Sequence, residues 1–597
     1  MYLKGGKGQY RTVDMNSTMP SLGTVRNSMQ KRLEPIEVGI VDVNKIVKFL
    51  SDRNYPKHVI VSCDETRVSR KIEYDFKSDK LVGLTAPINQ VTGFPDLSEM
   101  KTSIPSEILE TIGTRSLSSY VDVFMLKPLT PGSASMCITA IPTDNKYTKS
   151  DKLKQFNHIV CELATVGIKV EGFSSDGDEK YFGAQKSLIE FGNLQEWHGM
   201  KLYGNPKSQC GASQDFLHML QKFRWRAFDS HYELKLNNKV INASFLKMLI
   251  QHEDVSRETF GISLRELENK DKSNDKMNCK VTLKLCSWKI IDALVDVPGS
   301  EGLQQYLKLL TMLHDACMLD ETEINIQLRL FNLSYVASFI RRWKTFNVES
   351  GGKALNFITP NAFACVETNL VFYIRLLDAG YGNMFHLCNS QACEEAFRTM
   401  RSFGSWGFTQ INFSMNVGLN LLSKMNLLMD VMNELSKSDV KFSEKFADQA
   451  FPLDSRFIPI FLSGHEKREI VECALKKAEE DISRFGITSS ECDVGAILKN
   501  GDPIEDLLSQ QSHRNDFVGK QWPVKKSTVN GRQIISIKNL HFVDEPHEKQ
   551  SKFVRLPKLT STQETIISKQ QFLNLIDVGS IEKVSKDRTR RFIANEI

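Results

Sequence analysis

The order of strand-like and helix-like patterns between residues 58 and 175 limits the fold of this chain more than any other feature. Short apolar or alternating runs, typical of strands, occur at residues 58–63, 72–76, 80–87, 121–129 and 135–143. Residues 152–167 then carry apolar side chains at helical spacing, and residues 168–175 alternate again. Three or more strands, one helix and a further strand predict an α/β fold with an RNase H-like mixed sheet. In such a sheet the first strand and the strand after the helix are neighbours.

The strand signal then fades, and helical patterns fill most of residues 214–385. This interval is too long for one loop of a compact domain, so it predicts a large α-helical insertion domain. The predicted organisation has five parts. They are a leader and helical segment (1–50), the first part of the core (51–213), the insertion (214–385), the closing helices of the core (386–435), and a variable C-terminal region with a partly disordered tail (436–597).

Composition excludes several classes of protein. The chain has 597 residues, 41% hydrophobic and 25% charged, with a formal net charge of +5, as in an ordinary soluble protein. Its longest apolar runs are too short for a membrane span. Its twelve cysteines include no C-x-x-C pair and no zinc-finger spacing, which favours free thiols in a reducing compartment. The P-loop, H-E-x-x-H and G-x-S-x-G motifs are absent from the sequence.

Three acidic positions suggest chemistry. Asp64 follows the apolar run of the first strand, Asp176 follows the strand after the helix, and Glu394 lies in a helical stretch. Carboxylates at strand ends and on a returning helix can converge on a pair of Mg²⁺ or Mn²⁺ ions, which prefer oxygen ligands. Taken singly, each aspartate is more typical of a turn or a helix cap. Asp178 and Glu395 are neighbouring alternatives for the second and third acid.

Glu65 and the basic stretch 214–228 also bear on the predicted site. Glu65 is expected to play a supporting part, because neighbouring side chains on a strand point to opposite faces. Lys222, Arg224 and Arg226 share the stretch 214–228 with an apolar stripe, so at least some are expected to face solvent or DNA. The alternative is that they form surface ion pairs. His218 in the same stretch is a candidate site residue, but the favoured interpretation is a histidine packed on the core.

Several segments resemble transposases of the P-element and THAP-domain superfamily. DETRVSRKIEYD (64–75) after a hydrophobic strand, SSDG (174–177), QDFLHMLQKFRWRAF (214–228), NFITPNAFACVETN (356–369) and SQACEEAFRTMR (390–401) resemble family segments in the same order. The likeness covers roughly residues 20–435, and its order and spacing carry more weight than any single segment.

The resemblance implies a DDE-type DNA transposase, or a domesticated descendant, that cleaves and transfers DNA strands with two metal ions. Asp64, Asp176 and Glu394 would be the catalytic, metal-binding acids; Glu394 is preferred because the family glutamate lies three residues before a Phe, here Phe397. The implied partners are transposon ends and target DNA, with a homo-oligomer and a nuclear location. GTP as a further cofactor rests on the resemblance alone.

One departure concerns DNA recognition. The zinc-binding THAP module of many family members, with its C-x-C and C-x-x-H ligands, is missing from this sequence. The alternative function is therefore a catalytically inactive, transposase-derived protein that binds DNA or protein.

Overall fold

The structure is a computed structural model. It describes residues 20–75, 80–97, 111, 114–228, 233–251, 260–268, 279–352, 356–402, 413–436, 458–488, 524–529, 532–537, 553–557 and 564–568. The chain forms two compact units, residues 1–504 and 505–597. Residues 1–19 of the predicted leader and most of the predicted tail lie outside the described residues.

The first unit contains one main sheet and three small hairpins. Its strands are β1 (His58–Arg67), β2 (Glu73–Asp75), β3 (Lys80–Val82), β4 (Tyr120–Pro128), β5 (Met136–Thr143), β6 (Lys169–Ser175), β7 (Leu194–Trp197), β8 (Met200–Tyr203), β9 (Gly211–Gln214), β10 (Lys235–Leu236) and β11 (Lys239–Val240). The main sheet has the order β5-β4-β1-β6-β9. β4 pairs antiparallel with β5 and β1, whereas β1, β6 and β9 run parallel.

The described helices of this unit are α1 (Leu22–Arg32), α2 (Val43–Ser51), α3 (Lys149–Thr165), α4 (Glu179–Leu188), α5 (Phe216–Phe228), α6 (Ser244–Gln251), α7 (Leu264–Glu268), α8 (Cys279–Leu285), α9 (Trp288–Ala293), α10 (Glu301–Met318), α11 (Ile326–Glu349), α12 (Pro360–Asp378), α13 (Gln391–Ser402), α14 (Met415–Ser436) and α15 (Gly464–Ser483). Short 3₁₀ helices cover Leu294–Asp296 and Gly382–Leu387. Within the described part of the chain, no helix is both long enough and apolar enough to cross a membrane.

Both faces of the main sheet are covered. On β1, Val59, Val61 and Cys63 face a core shared with α2, α3 and α4. Ile60 and Ser62 alternate with them and face the opposite side, where Ile60 joins the helical core. A strand buried on both faces reads as a continuous apolar run, which is why residues 58–63 are so hydrophobic.

The crossover helix α3 has sequence signals at both ends. Thr148 accepts a hydrogen bond from the Asp151 amide and the Asp151 carboxylate accepts one from the Thr148 amide, a capping box. After the helix, Gly167 adopts a left-handed φ of 73°, which glycine tolerates because it has no Cβ. The helix therefore stops in time for β6 to enter the sheet beside β1.

The long interval between β9 and α13 is helical, as the sequence predicts. Helices α5 to α12 occupy most of residues 216–378, and α13 then returns to pack against β1 and β4. The core of these helices also includes Ile60 and Ala212 of the sheet. The fold is thus a mixed α/β fold with a large helical region between the parts of the sheet layer. The predicted boundaries at 213/214 and 385/386 stay predictions.

The C-terminal region contains more structure than its sequence suggests. Helix α15 packs against α11, and Val471, Ala474, Ala478 and Ile482 join the core of the helical region. In the second unit, strands β12 (Val524–Val529), β13 (Arg532–Ile537), β14 (Phe553–Pro557) and β15 (Glu564–Ser568) form a sheet of order β12-β13-β15-β14.

Candidate active site

Asp64 and Asp176 lie side by side where the parallel pairing of β1 and β6 ends. β1 and β6 pair in parallel, and the last pair in their register is Cys63 opposite Ser175. Asp64 and Asp176 are the next residue on each side. Neighbouring strands lie about 4.8 Å apart, and functional groups of open α/β sheets gather at the carboxyl ends of their strands. The sheet therefore brings together two acids that are 112 positions apart in the sequence.

Glu394 reaches the same edge from the first turn of α13. The preceding residue, Cys393, is buried against the sheet: its Sγ lies 3.4 Å from Ser62 Oγ and donates to the Val123 carbonyl oxygen at 3.7 Å. Ser62 precedes Asp64 by two residues, so it lies on the same face of β1. Packing of Cys393 on this face places Glu394 beside the strand that carries Asp64.

The three acids interact electrostatically, as their pKa directions indicate. Burial raises the pKa of Asp64 well above its usual range, and the charges of Asp176 and Glu394 raise it further, while a hydrogen bond from the Glu65 amide at 2.7 Å opposes them. Burial also raises the pKa of Glu394, together with the charges of Asp215 and Asp176. Burial comes first among the causes that raise the pKa of Asp176.

Two basic side chains of α5 lie near these acids. The charges of His218 and Lys222 both lower the pKa of Asp176, and that of His218 also lowers the pKa of Glu394. The expectation that His218 packs on the core is therefore wrong: its ring is partly exposed and lies among the acids, with Nδ1 at 3.6 Å from Asp215 Oδ1. A helical pattern cannot distinguish a core histidine from one at the rim of a site.

The acids fit a divalent metal ion by donor type and charge. Carboxylate oxygens are the ligands that Mg²⁺ and Mn²⁺ prefer, and the pKa of Asp64, Asp176 and Glu394 is raised first by burial and also by neighbouring acids. Among the described residues, no three Asp, Glu, His or Cys side chains are already gathered as a metal site. An ion would have to draw the three carboxylates together.

The neighbouring acids have other contacts. Asp178 caps α4, accepting from the Lys180 amide at 2.9 Å. Glu395 is partly exposed and pairs with Arg398 at 3.9 Å. Glu65 lies on the opposite face of β1 from Asp64.

The surroundings of Glu65 agree with its expected separation from the acids. Its carboxylate accepts hydrogen bonds from the hydroxyl groups of Tyr147 and Tyr181. Burial raises its pKa to about 7, with the charge of Asp122 as the next cause.

The basic residues of α5 require a correction. Arg224 and Arg226 are only 4% and 5% exposed, and Arg226 Nε donates to the Phe357 carbonyl oxygen at 2.7 Å. Neither can be the solvent-facing phosphate contact that was expected. The prediction assumed one buried helix face, whereas α5 packs against β9 on one side and against α8, α10 and α12 on others.

Lys222 is the basic residue of this set that reaches the site. Its Nζ donates to Gln214 Oε1 at 3.0 Å and to Asn361 Oδ1 at 2.6 Å. Its charge acts on Asp176, so Lys222 links α12 and the end of β9 to the acidic edge.

Sequence reasoning missed Asp215. This residue directly follows β9 and is fully buried; Asp176 likewise follows β6, whereas Asp64 lies within β1, next to the last residue that pairs with β6. The available signal was its position: GASQD is a short run of small and polar residues that ends in an acid just before a helical stretch.

Comparison with known proteins bears on the fold. A solved structure described as "Drosophila P element transposase strand transfer complex" is similar to this chain with a TM-score of 0.50 and 14% sequence identity, over 71% of this chain and 89% of that chain. No protein-family model matches the sequence, and no curated protein matches it. The fold is therefore transposase-like, and at this identity the chemistry has to be argued from the residues of this chain.

Proposed function

We propose that this protein is a DDE-type DNA transposase, or a domesticated descendant of one, that cleaves and transfers DNA strands. The observation that carries the proposal is the adjacency of Asp64 and Asp176 on paired strands, with Glu394 at the start of a helix packed on β1, within a transposase-like fold. Asp64 and Asp176 are half-buried and Glu394 is exposed, and like charges this near one another are costly without a counter-ion. Such a cluster is typical of a functional site.

In this proposal Asp64, Asp176 and Glu394 hold Mg²⁺ or Mn²⁺. Bound divalent ions supply activation of the attacking oxygen and stabilisation of the leaving oxygen of a phosphodiester. The chain itself supplies position: the register of β1 and β6 fixes two acids, and the packing of α13 fixes the third. Lys222 adds positive charge beside them, where the phosphate backbone would approach.

DNA is the proposed partner, as transposon end and as target. The neighbouring solved structure is named as a strand transfer complex, and the acids of this chain suit a phosphodiester substrate. A nuclear location and a homo-oligomer belong to the same proposal. GTP stays a prediction from the family resemblance.

The test is metal-dependent nicking of a supercoiled plasmid by the full chain. We expect nicking with Mg²⁺ or Mn²⁺, none with EDTA, and loss of at least about 100-fold in Asp64→Asn, Asp176→Asn and Glu394→Gln, because removing a transition-state contact costs about this factor or more. Affinity for DNA, measured by fluorescence anisotropy, should change little.

Two matched controls sit beside the acids. Asp178→Asn keeps a good helix cap, and Glu395→Gln removes only a partly exposed charge, so both should nick like the wild type. DNA binding without nicking in the wild type would favour the inactive, transposase-derived binding protein. That alternative draws on the finding that the described acids are not yet gathered as a metal site.

A further inference from the structure

Asp215 has every acceptor position of its carboxylate occupied. Oδ1 accepts from the amides of Leu217 at 2.9 Å and His218 at 3.1 Å. Oδ2 accepts from Ser390 Oγ at 2.9 Å and Gln391 Nε2 at 3.1 Å. A carboxylate offers about four lone-pair sites, so Asp215 has none left for a metal ion. This separates it from the three acids beside it.

The partners of Asp215 belong to different parts of the chain. Leu217 and His218 begin α5, whereas Ser390 and Gln391 begin α13, 175 and 176 positions further along the sequence. The amide of Asp215 also donates to the Ser175 carbonyl oxygen at 2.8 Å, next to Asp176. One buried residue therefore joins the ends of β6 and β9 to the start of the helix that carries Glu394.

Apolar packing also holds α13, from its first turn onward. Ala392, Cys393, Ala396 and Phe397 pack in a core with Val123, and such contacts are not directional. Hydrogen bonds to a buried carboxylate are directional and stronger than neutral ones. A further hydrogen bond, from Ser213 Oγ to the Cys388 carbonyl oxygen at 2.8 Å, also joins β9 to the segment just before α13.

We propose that Asp215 is a positioning residue that docks the first turn of α13, so that Glu394 faces Asp64 and Asp176 after the chain returns from the helical region. The importance of this docking for chemistry rests on the proposed function. Asp215 acts through Ser390 and Gln391 and touches neither metal nor DNA.

The experiment compares Asp215→Ala with Asp215→Asn in the full chain. Asparagine keeps the volume, and after the Ser390 hydroxyl and the Gln391 amide rotate it can bond to both. Alanine loses all four contacts. Mn²⁺ affinity, measured by calorimetry, should fall about 10–100-fold in Asp215→Ala, as for other supporting partners of metal ligands, and recover to within about threefold of wild type in Asp215→Asn.

A second variant leaves Asp215 intact. Ser390→Ala with Gln391→Ala removes the two donors from α13 and should weaken Mn²⁺ binding like Asp215→Ala. Adding Glu394→Gln to Asp215→Ala should cause little further loss, because both changes act on the same ligand. If Asp215→Asn lost as much affinity as Asp215→Ala, a charge or ligand role would replace positioning.

Hydrogen exchange without metal tests the docking independently of function. Asp215→Ala should speed exchange of amides in residues 389–397 by about tenfold or more, corresponding to at least about 1.4 kcal/mol of lost local stability, whereas Asp178→Ala, which uncaps α4, should not. Unchanged exchange at 389–397 would overturn the proposal. If Asp215→Ala speeds exchange at 389–397 but the wild type binds no Mn²⁺, the docking is upheld and the proposed function is refuted.

Discussion

Glu171 shows how single residues tie the helical region to the sheet. It lies fully buried on β6, and its carboxylate accepts from His58 Nδ1 at 2.7 Å and Arg375 Nε at 3.2 Å, with Lys169 Nζ at 2.9 Å. Arg375 belongs to α12, so this ion cluster joins helix and strand. Burial alone would raise the pKa of Glu171, but its hydrogen bonds and the Arg375 charge bring the pKa below its usual value.

We expect Glu171→Gln to lower the free energy of unfolding by about 3 kcal/mol, since it leaves the largely buried Arg375 guanidinium without its charged partner. Glu162→Gln, at a partly exposed pair on α3, should cost less than about 0.5 kcal/mol. Because the folded pKa is lowered, the contribution of Glu171 is present above its unfolded pKa near 4.3 and is lost as pH falls through the folded value. Urea unfolding of wild type and Glu171→Gln across pH 3–7 checks this; parallel curves would contradict it.

A site residue can be predicted when the pattern that marks it lies in the neighbouring sequence, and it is missed when its partners lie far along the chain. Asp64 and Asp176 were predicted because each follows a strand-like run, and Glu394 because its helical stretch resembles a family segment; their roles stay predictions. Asp215 was missed because two of its four partners lie far along the chain. The burial of Arg224 was missed for the same reason, since the helices that cover α5 come from later segments.

At the scale of elements, two glycines allow α12 to pack closely against the main sheet. Gly172 on β6 and Gly211 on β9 are directly paired, and the fully buried ring of Phe372 lies over both. A Cβ on Gly172 would come within 2.5 Å of Phe372 Cζ, closer than real carbon contacts allow. The pair of glycines forms a slot that lets the helix approach the strands.

Gly211→Ala should therefore destabilise the protein by about 1–3 kcal/mol through overpacking. Phe372→Leu in the same chain should recover part of this loss, giving a favourable coupling in a double-mutant cycle. Gly464→Ala is a suitable control, because its Cβ would meet its nearest atom at an ordinary 3.6 Å. Additive losses from Gly211→Ala and Phe372→Leu, measured by urea unfolding, would show that the slot does not exist.

For the whole molecule, the sequence predicted the mixed sheet, the neighbouring β1 and β6, and the long helical region. These depend on periodicity and on the order of elements, which are readable along the chain. The packing of α15 could not be predicted, because Val471 and Ile482 are buried by helices more than 100 positions away. Fully buried Asp481 adds polar contacts with Lys308 and Tyr335 that no local pattern reveals.

The last prediction concerns the stability of the whole molecule with and without metal. When folding raises the pKa of an acid, the folded state binds the proton more tightly than the unfolded state does. The protein therefore loses stability as the pH rises above the pKa that the acid has in the unfolded state. Asp64 is such an acid, so without metal at neutral pH Asp64→Asn should be more stable than the wild type. Mn²⁺ at about 100 times its Kd should add about 2.7 kcal/mol to the wild type, and less to Asp64→Asn.

The order of stability of the two proteins should therefore invert between EDTA and Mn²⁺, because in the proposed function the ion joins residues 64, 176 and 394 only in the folded chain. Urea unfolding in both conditions measures this inversion. Glu395→Gln carries a change of charge next to Glu394 and should gain as much from Mn²⁺ as the wild type does. Equal stabilisation of the wild type and Asp64→Asn would place the ion elsewhere in the molecule. That result would remove the metal-binding role of the first acid.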